Sequence, residues 1–113
     1  MSAGAEARLW AVQRATAAVL ALCVVVHLAT IIYAVRGGLS AAEILSRTRG
    51  SVAWGTFYAV FVIAAAAHGS IGIRTIAIEW LRIGKPAAQR LMAAVALALA
   101  LLGLRAVYAV VAA

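Results

Sequence analysis

The residues of this chain best suited to chemistry are two histidines, His27 and His68, each set in a long apolar run where an imidazole must find a partner. His68 opens the stretch HGSIGIRTIAIEW, which passes from apolar to charged within thirteen residues. At ~100° per residue, Phe57, Phe61, Ala64, His68, Gly72, Thr75 and Glu79 share one helical face. Small residues on that face admit either the close approach of another helix or a flat prosthetic group, with Phe57 and Phe61 as its walls. A neutral imidazole in a dry, small-residue pocket meets the requirement for an axial haem ligand, and Arg14 and Arg74 would supply charge for the propionates. A hydrogen bond to a neighbouring helix would satisfy the same ring. His27 shares a face with Thr16, Leu20, Cys23, Thr30 and Ala34, and the same two readings stay open for it. No Gly-rich phosphate loop, catalytic carboxylate pair or zinc spacing accompanies them, and Cys23, the single cysteine, reads as a small packing residue.

The elements that must position these histidines are spanning helices. The 113 residues are 67% hydrophobic and 12% charged, with a mean hydropathy of +1.09; this is an all-α integral membrane composition. Arg14 and Arg36 bracket 21 residues without Asp, Glu, Lys or Arg, and Arg49 and Arg74 bracket another 24. Each is long enough to cross a hydrocarbon layer of ~30 Å at ~1.5 Å per residue. A third apolar run, Leu91 to Ala113, is broken only by Arg105. The first run is too long for a secretory signal core and should stay in the protein.

The net charge of +7 does not point to nucleic acid, because the basic residues mark the ends of the spans instead of one solvated face. Arg8, Arg14, Arg74, Arg82, Lys85 and Arg90 on one side, against Arg36, Arg47 and Arg49 on the other, place the N-terminus in the cytoplasm. The expected organisation is one domain over 1–113: a first span over about 11–35, an outer loop over 36–51, a second span over about 52–83 and a third over about 87–112. Gly37 and Gly38 end the first span, and Ser40 with Glu43 forms a capping box for a short surface helix. Gly84 suits the C-cap of the second span and Pro86 the first turn of the third, so these two are antiparallel neighbours.

RATAAVLAL in the first span, HGSIGIRTIAIEW in the second and KPAAQRLM opening the third occur in an order and spacing that resemble the membrane-anchor (cytochrome b) subunits of succinate dehydrogenase and fumarate reductase, over roughly Val12 to Met92. The most specific element is H-x-x-x-G followed by an acid–aromatic pair, Glu79 and Trp80, eleven and twelve residues after His68. The resemblance implies a b haem on His68 and places Arg14 near haem propionates or the quinone. It implies a quinone site including Arg14, Glu79 and Trp80, though the relatives carry Asp-Tyr where this chain has Glu-Trp. An indole N–H donates but cannot accept or exchange a proton as a phenol does. The implied partners are an iron–sulfur subunit, a flavoprotein subunit and a second anchor chain that completes a bundle of five or six helices. The implied setting is a bacterial or archaeal cytoplasmic membrane, in the respiratory chain and tricarboxylic acid cycle. The anchor performs no dehydrogenation itself; it passes electrons between clusters and quinone.

Two-haem members of that family use histidines on their first and second helices, so a second haem on His27 is expected, with Arg36 and Arg105 at its propionates. Measured from Arg14 and Arg74, His27 should lie roughly 20 Å deep and His68 roughly 9 Å, too far apart to share an iron. A haem-free structural anchor and a small oligomeric transporter subunit are the competing functions. The latter is poorly served by spans whose only ionisable candidates are the two histidines and Arg105.

Overall fold

The computed structural model describes residues 2–113 and consists of four helices: α1 (Ala3–Arg36), α2 (Ala41–Thr48), α3 (Val52–Glu79) and α4 (Lys85–Val111). Three of them, α1, α3 and α4, are long and apolar enough to cross a membrane, and the described residues contain no strand. The fold is all-α and the chain is a multi-pass membrane protein.

Helix α1 begins at Ala3, well before the expected start near residue 11. Ser2 caps it by accepting from the Ala5 N–H, and Glu6 lies in its first turn. Its 34 residues give a length of about 50 Å, more than a hydrocarbon core requires, so the first two to three turns extend beyond the apolar span. It ends as expected, with the N–H groups of Gly37, Gly38 and Leu39 returning to Tyr33, Val35 and Ala34 and with Gly38 at φ +63.

Helix α2 carries the expected capping box, with Ser40 Oγ accepting from the Glu43 N–H and the Glu43 carboxylate facing the Ser40 N–H and hydroxyl. Its far end ties the outer loop to α4. The Thr48 hydroxyl donates to the Val110 carbonyl at 2.6 Å and the Gly50 N–H to the Val111 carbonyl at 2.8 Å. Two carbonyls that a helix end leaves without intrahelical donors are thereby satisfied.

Helix α3 is the central element, packed between α1 and α4. Its buried residues are Ala64, Ala66, Ser70, Ile71, Arg74 and Ala77. Small side chains set the α3–α4 distance: Ala88 is fully buried, and a Cβ added at Gly103 would collide with the Val62 side chain. Most of the large apolar side chains of α1 and α4 face outward, as lipid or a partner helix requires.

The second span ends four residues earlier than its sequence suggests. After Glu79 the N–H groups of Leu81 and Ile83 turn back to the Ile76 and Ala77 carbonyls, and Arg82, at φ 54, takes the left-handed position expected of glycine. Gly84 is instead the N-cap of α4, in extended backbone at ψ 147, with Pro86 in the first turn. The α3–α4 connection is tight and the two helices are antiparallel neighbours.

Candidate functional site

His68 lies half-buried on α3 against α1. Its Nδ1 stands 3.3 Å from the Gln13 carbonyl and 3.3 Å from Thr16 Oγ1. A carbonyl can only accept, so the Gln13 contact is a hydrogen bond in the Nδ1–H tautomer, whose proton these two oxygens would share. The Thr16 hydroxyl hydrogen is already given to the Val12 carbonyl at 2.8 Å, which leaves its oxygen as an acceptor. The Nε2 lone pair is then the one ligand atom the neutral ring has left, the state an axial imidazole needs. The donor chemistry of His68 therefore fits a haem.

The surroundings fit a flat apolar group less widely than the small residues suggest. A Cβ at Gly69 would meet Leu99 Cδ1 at 3.3 Å and one at Gly72 would meet Gln13 Nε2 at 3.5 Å, so both glycines serve helix approach. An apolar groove of about 510 Å³ lies between α1 and α3, lined by Thr16, Ala64 and Ala67 among others but not by His68 itself. Phe57 and Phe61 do not wall the His68 site. They cluster with Trp54 and Tyr58 toward the other end of α3, and Phe61 stands edge-on to His27, its centroid 5.6 Å away.

His27 Nδ1 faces the Tyr58 hydroxyl at 3.3 Å. The ring opens on a cleft of about 420 Å³ between α1, α2 and α3, whose walls include Thr30, Ile44, Trp54 and Tyr58. The cation at this cleft is Arg47, which donates to the Tyr33 hydroxyl at 3.3 Å. That bond raises the Arg47 guanidinium above its already high pKa, so it is a permanent cation. Arg36, at the last turn of α1, and Arg105, exposed on α4, do not line the cleft. The two histidines are farther apart than the sequence estimate: Tyr58, at the level of His27, precedes His68 by ten residues, or about 15 Å of helix.

The reason is the α1–α3 register. Arg74 was expected at the level of Arg14 but lies opposite Glu6. Its Nη2 donates to Glu6 Oε1 at 2.6 Å and its Nη1 to Oε2 at 3.4 Å. Its Nε donates to Gln89 Oε1 on α4 at 2.8 Å, and only 5% of the residue is exposed. The guanidinium thus joins α1, α3 and α4 and is already occupied by a carboxylate, so it is poorly disposed to neutralise a propionate. Sequence reasoning missed Glu6 and Gln13, and the one available signal was a lone acid ahead of the first span. Gln13 Oε1 is buried without a hydrogen-bond partner.

Arg14 is exposed on α1 next to Gln13, its guanidinium 5.2 Å above the Trp10 ring. Glu79 and Trp80 are exposed at the end of α3. Trp80 lies eight residues past Gly72, the residue that Gln13 meets, so Arg14 and Trp80 differ in height by about 12 Å and do not converge on one small ring. Among the described residues no three His, Cys, Asp or Glu side chains gather to hold a metal ion.

Three membrane-length helices, with a half-buried histidine and an arginine-centred ion pair between them, define a helical membrane protein with polar contacts between its helices. The family model described as succinate dehydrogenase/fumarate reductase transmembrane subunit matches residues 1–106, and the chain belongs to that family. Comparison with curated proteins and with solved structures gives no match.

Proposed function

We propose that this chain is a membrane-anchor subunit of a succinate:quinone oxidoreductase, ligating b haem through His68 and lying on the electron path between the iron–sulfur clusters of a soluble partner and quinone. The observation that supports the haem reading is the 3.3 Å contact of His68 Nδ1 with the Gln13 carbonyl, which as a hydrogen bond leaves Nε2 for a ligand. When bound, the haem supplies a one-electron redox centre. From this chain His68 would hold it, and Arg14 is the cation nearest in height to His68 for a propionate. A histidine from a second anchor chain completes the axial pair, and that chain completes the bundle.

At the other end of α3, Glu79, Trp80 and Arg82 form the docking face for the iron–sulfur subunit, which brings the flavoprotein with it. Quinone lies there too, with the Trp80 indole as hydrogen-bond donor. The excess of basic residues at this end supports a cytoplasmic location for it and for the N-terminus. The deciding experiment is an absorption spectrum of the purified complex. Reduced b-type bands that disappear in His68→Ala, with the chain still in the membrane, support the reading; bands that survive the substitution overturn it.

A second haem on His27 is favoured by one observation, the cleft onto which the ring opens. Its nearest cation is Arg47, in place of Arg36 or Arg105. A pyridine haemochrome assay should give two haems per complex and one in His27→Ala; one haem in both rejects it in favour of an interhelical bond to Tyr58.

A further inference from the structure

We propose that the Glu6–Arg74 ion pair is a positioning device for His68: it fixes where α1 sits along α3, and thereby where the two acceptors of the Nδ1 proton lie. The inference rests on the reading of His68 as an axial ligand and extends it to residues about two turns away.

The contacts between the two helices run in one antiparallel register, with Glu6 opposite Arg74, Gln13 opposite His68 and Gly72, and His27 opposite Tyr58. They are unequal in strength. Both Nδ1 contacts are 3.3 Å long, beyond the usual N–H···O distance, and they share a single hydrogen. The Gln13 carbonyl also lies 3.1 Å from Thr16 Oγ1, whose hydrogen goes to Val12 at the shorter distance. The His27–Tyr58 contact is likewise 3.3 Å. Such bonds respond to the register more than they set it, and neither the Gln13 amide against Gly72 nor the Phe61 ring edge-on to His27 brings a charge to the α1–α3 contact.

The Arg74 contact is of another kind. It is charge-assisted, with one arm at 2.6 Å and a second, longer one at 3.4 Å, and its Arg74 end is buried while the Glu6 side chain is 36% exposed. Gln89, reaching from α4 to Nε at 2.8 Å, stops the fork from turning. A slide of α1 by one residue is ~1.5 Å; it would break the fork and carry both Nδ1 acceptors out of hydrogen-bond range. The Nδ1 bond in turn sets tautomer, ring orientation and basicity of a ligating imidazole. Glu6 and Arg74 act on the iron through α1, without touching the haem.

The test uses the complete complex in its membranes and reads haem per anchor chain and the midpoint potential of that haem. Glu6→Gln keeps the size of the side chain and removes the charge. It should lower haem retention about tenfold or more and move the potential upward, because a less basic imidazole stabilises ferric iron less. Exchange of the partners, Glu6→Arg with Arg74→Glu, should restore both. If the unmodified complex has no b-type bands, the haem reading itself fails. If it has them and Glu6→Gln changes neither retention nor potential, this inference fails and the His68 reading stands. Should the single variants not accumulate, the exchange decides: chain recovered with the native potential supports the device, and chain recovered with a displaced potential or without haem overturns it.

Discussion

At the residue scale, His68 and Trp80 differ in what an oxidoreductase could ask of them. The imidazole has one nitrogen, Nδ1, against the Gln13 carbonyl of α1, and under the proposed function its other nitrogen is the ligand. The indole of Trp80, in a residue 80% exposed at the C-cap of α3, has one N–H and nothing to accept a proton. Trp80→Phe keeps the ring and deletes that donor. We expect quinone reduction to fall roughly tenfold, as loss of one hydrogen bond of ~1.4 kcal/mol would give, while succinate oxidation with a soluble dye persists. Equal loss in both assays would assign Trp80 to assembly instead. The candidate ligand was legible in the sequence because an imidazole among alanines and glycines is conspicuous. The Glu6–Arg74 pair was not: its members are far apart in sequence, and each alone resembles an interfacial charge.

At the element scale, hydropathy made the three spans legible, since chain length and charge spacing are read directly against bilayer thickness. The ends were less so. The start of α1 was hidden because its first turns are polar and held by a partner on α3, and the end of α3 was hidden because an arginine occupies the left-handed position at a cost of ~1–2 kcal/mol. The reading of small residues around His68 as cofactor space failed in part for a related reason: a glycine looks the same in sequence whether a ligand or another helix lies against it. Gly103 shows the second case most plainly, since Val62 occupies the space a side chain would need. Gly103→Val should therefore push α4 away from α3 and cost about 1–3 kcal/mol, measured as earlier thermal loss of the chain from detergent extracts. Thr48→Val removes the hydroxyl that caps Val110 and should cost ~1 kcal/mol in the same assay, with His68 spectroscopy unchanged because the cap lies at the far end of the bundle.

At the scale of the whole molecule, the two ends of the bundle have different chemistry. One carries the amphipathic α2, Arg47 and the cleft at His27. The other carries the overhanging first turns of α1, the Arg74 clamp and the exposed pair Glu79 and Trp80, followed by Arg82 and Lys85. A soluble electron donor needs a protruding, mixed-charge surface rather than a lipid-matched one, and only the second end offers it close to His68. Glu79 and Arg82 are exposed there, and Arg82 contributes its left-handed backbone to the turn but no side-chain hydrogen bond among the described residues. Charge reversal at both, Glu79→Lys with Arg82→Glu, keeps the net charge and alters only its pattern. Such a change at an interface rim acts mainly on complementarity, so retention of the soluble subunits on washed membranes should drop several-fold at low salt, and the difference from the unmodified complex should shrink as salt is raised. The anchor's own membrane level serves as the internal control. Retention equal to that of the unmodified complex, at every salt concentration, would move the docking surface off this end of α3 and onto the second anchor chain.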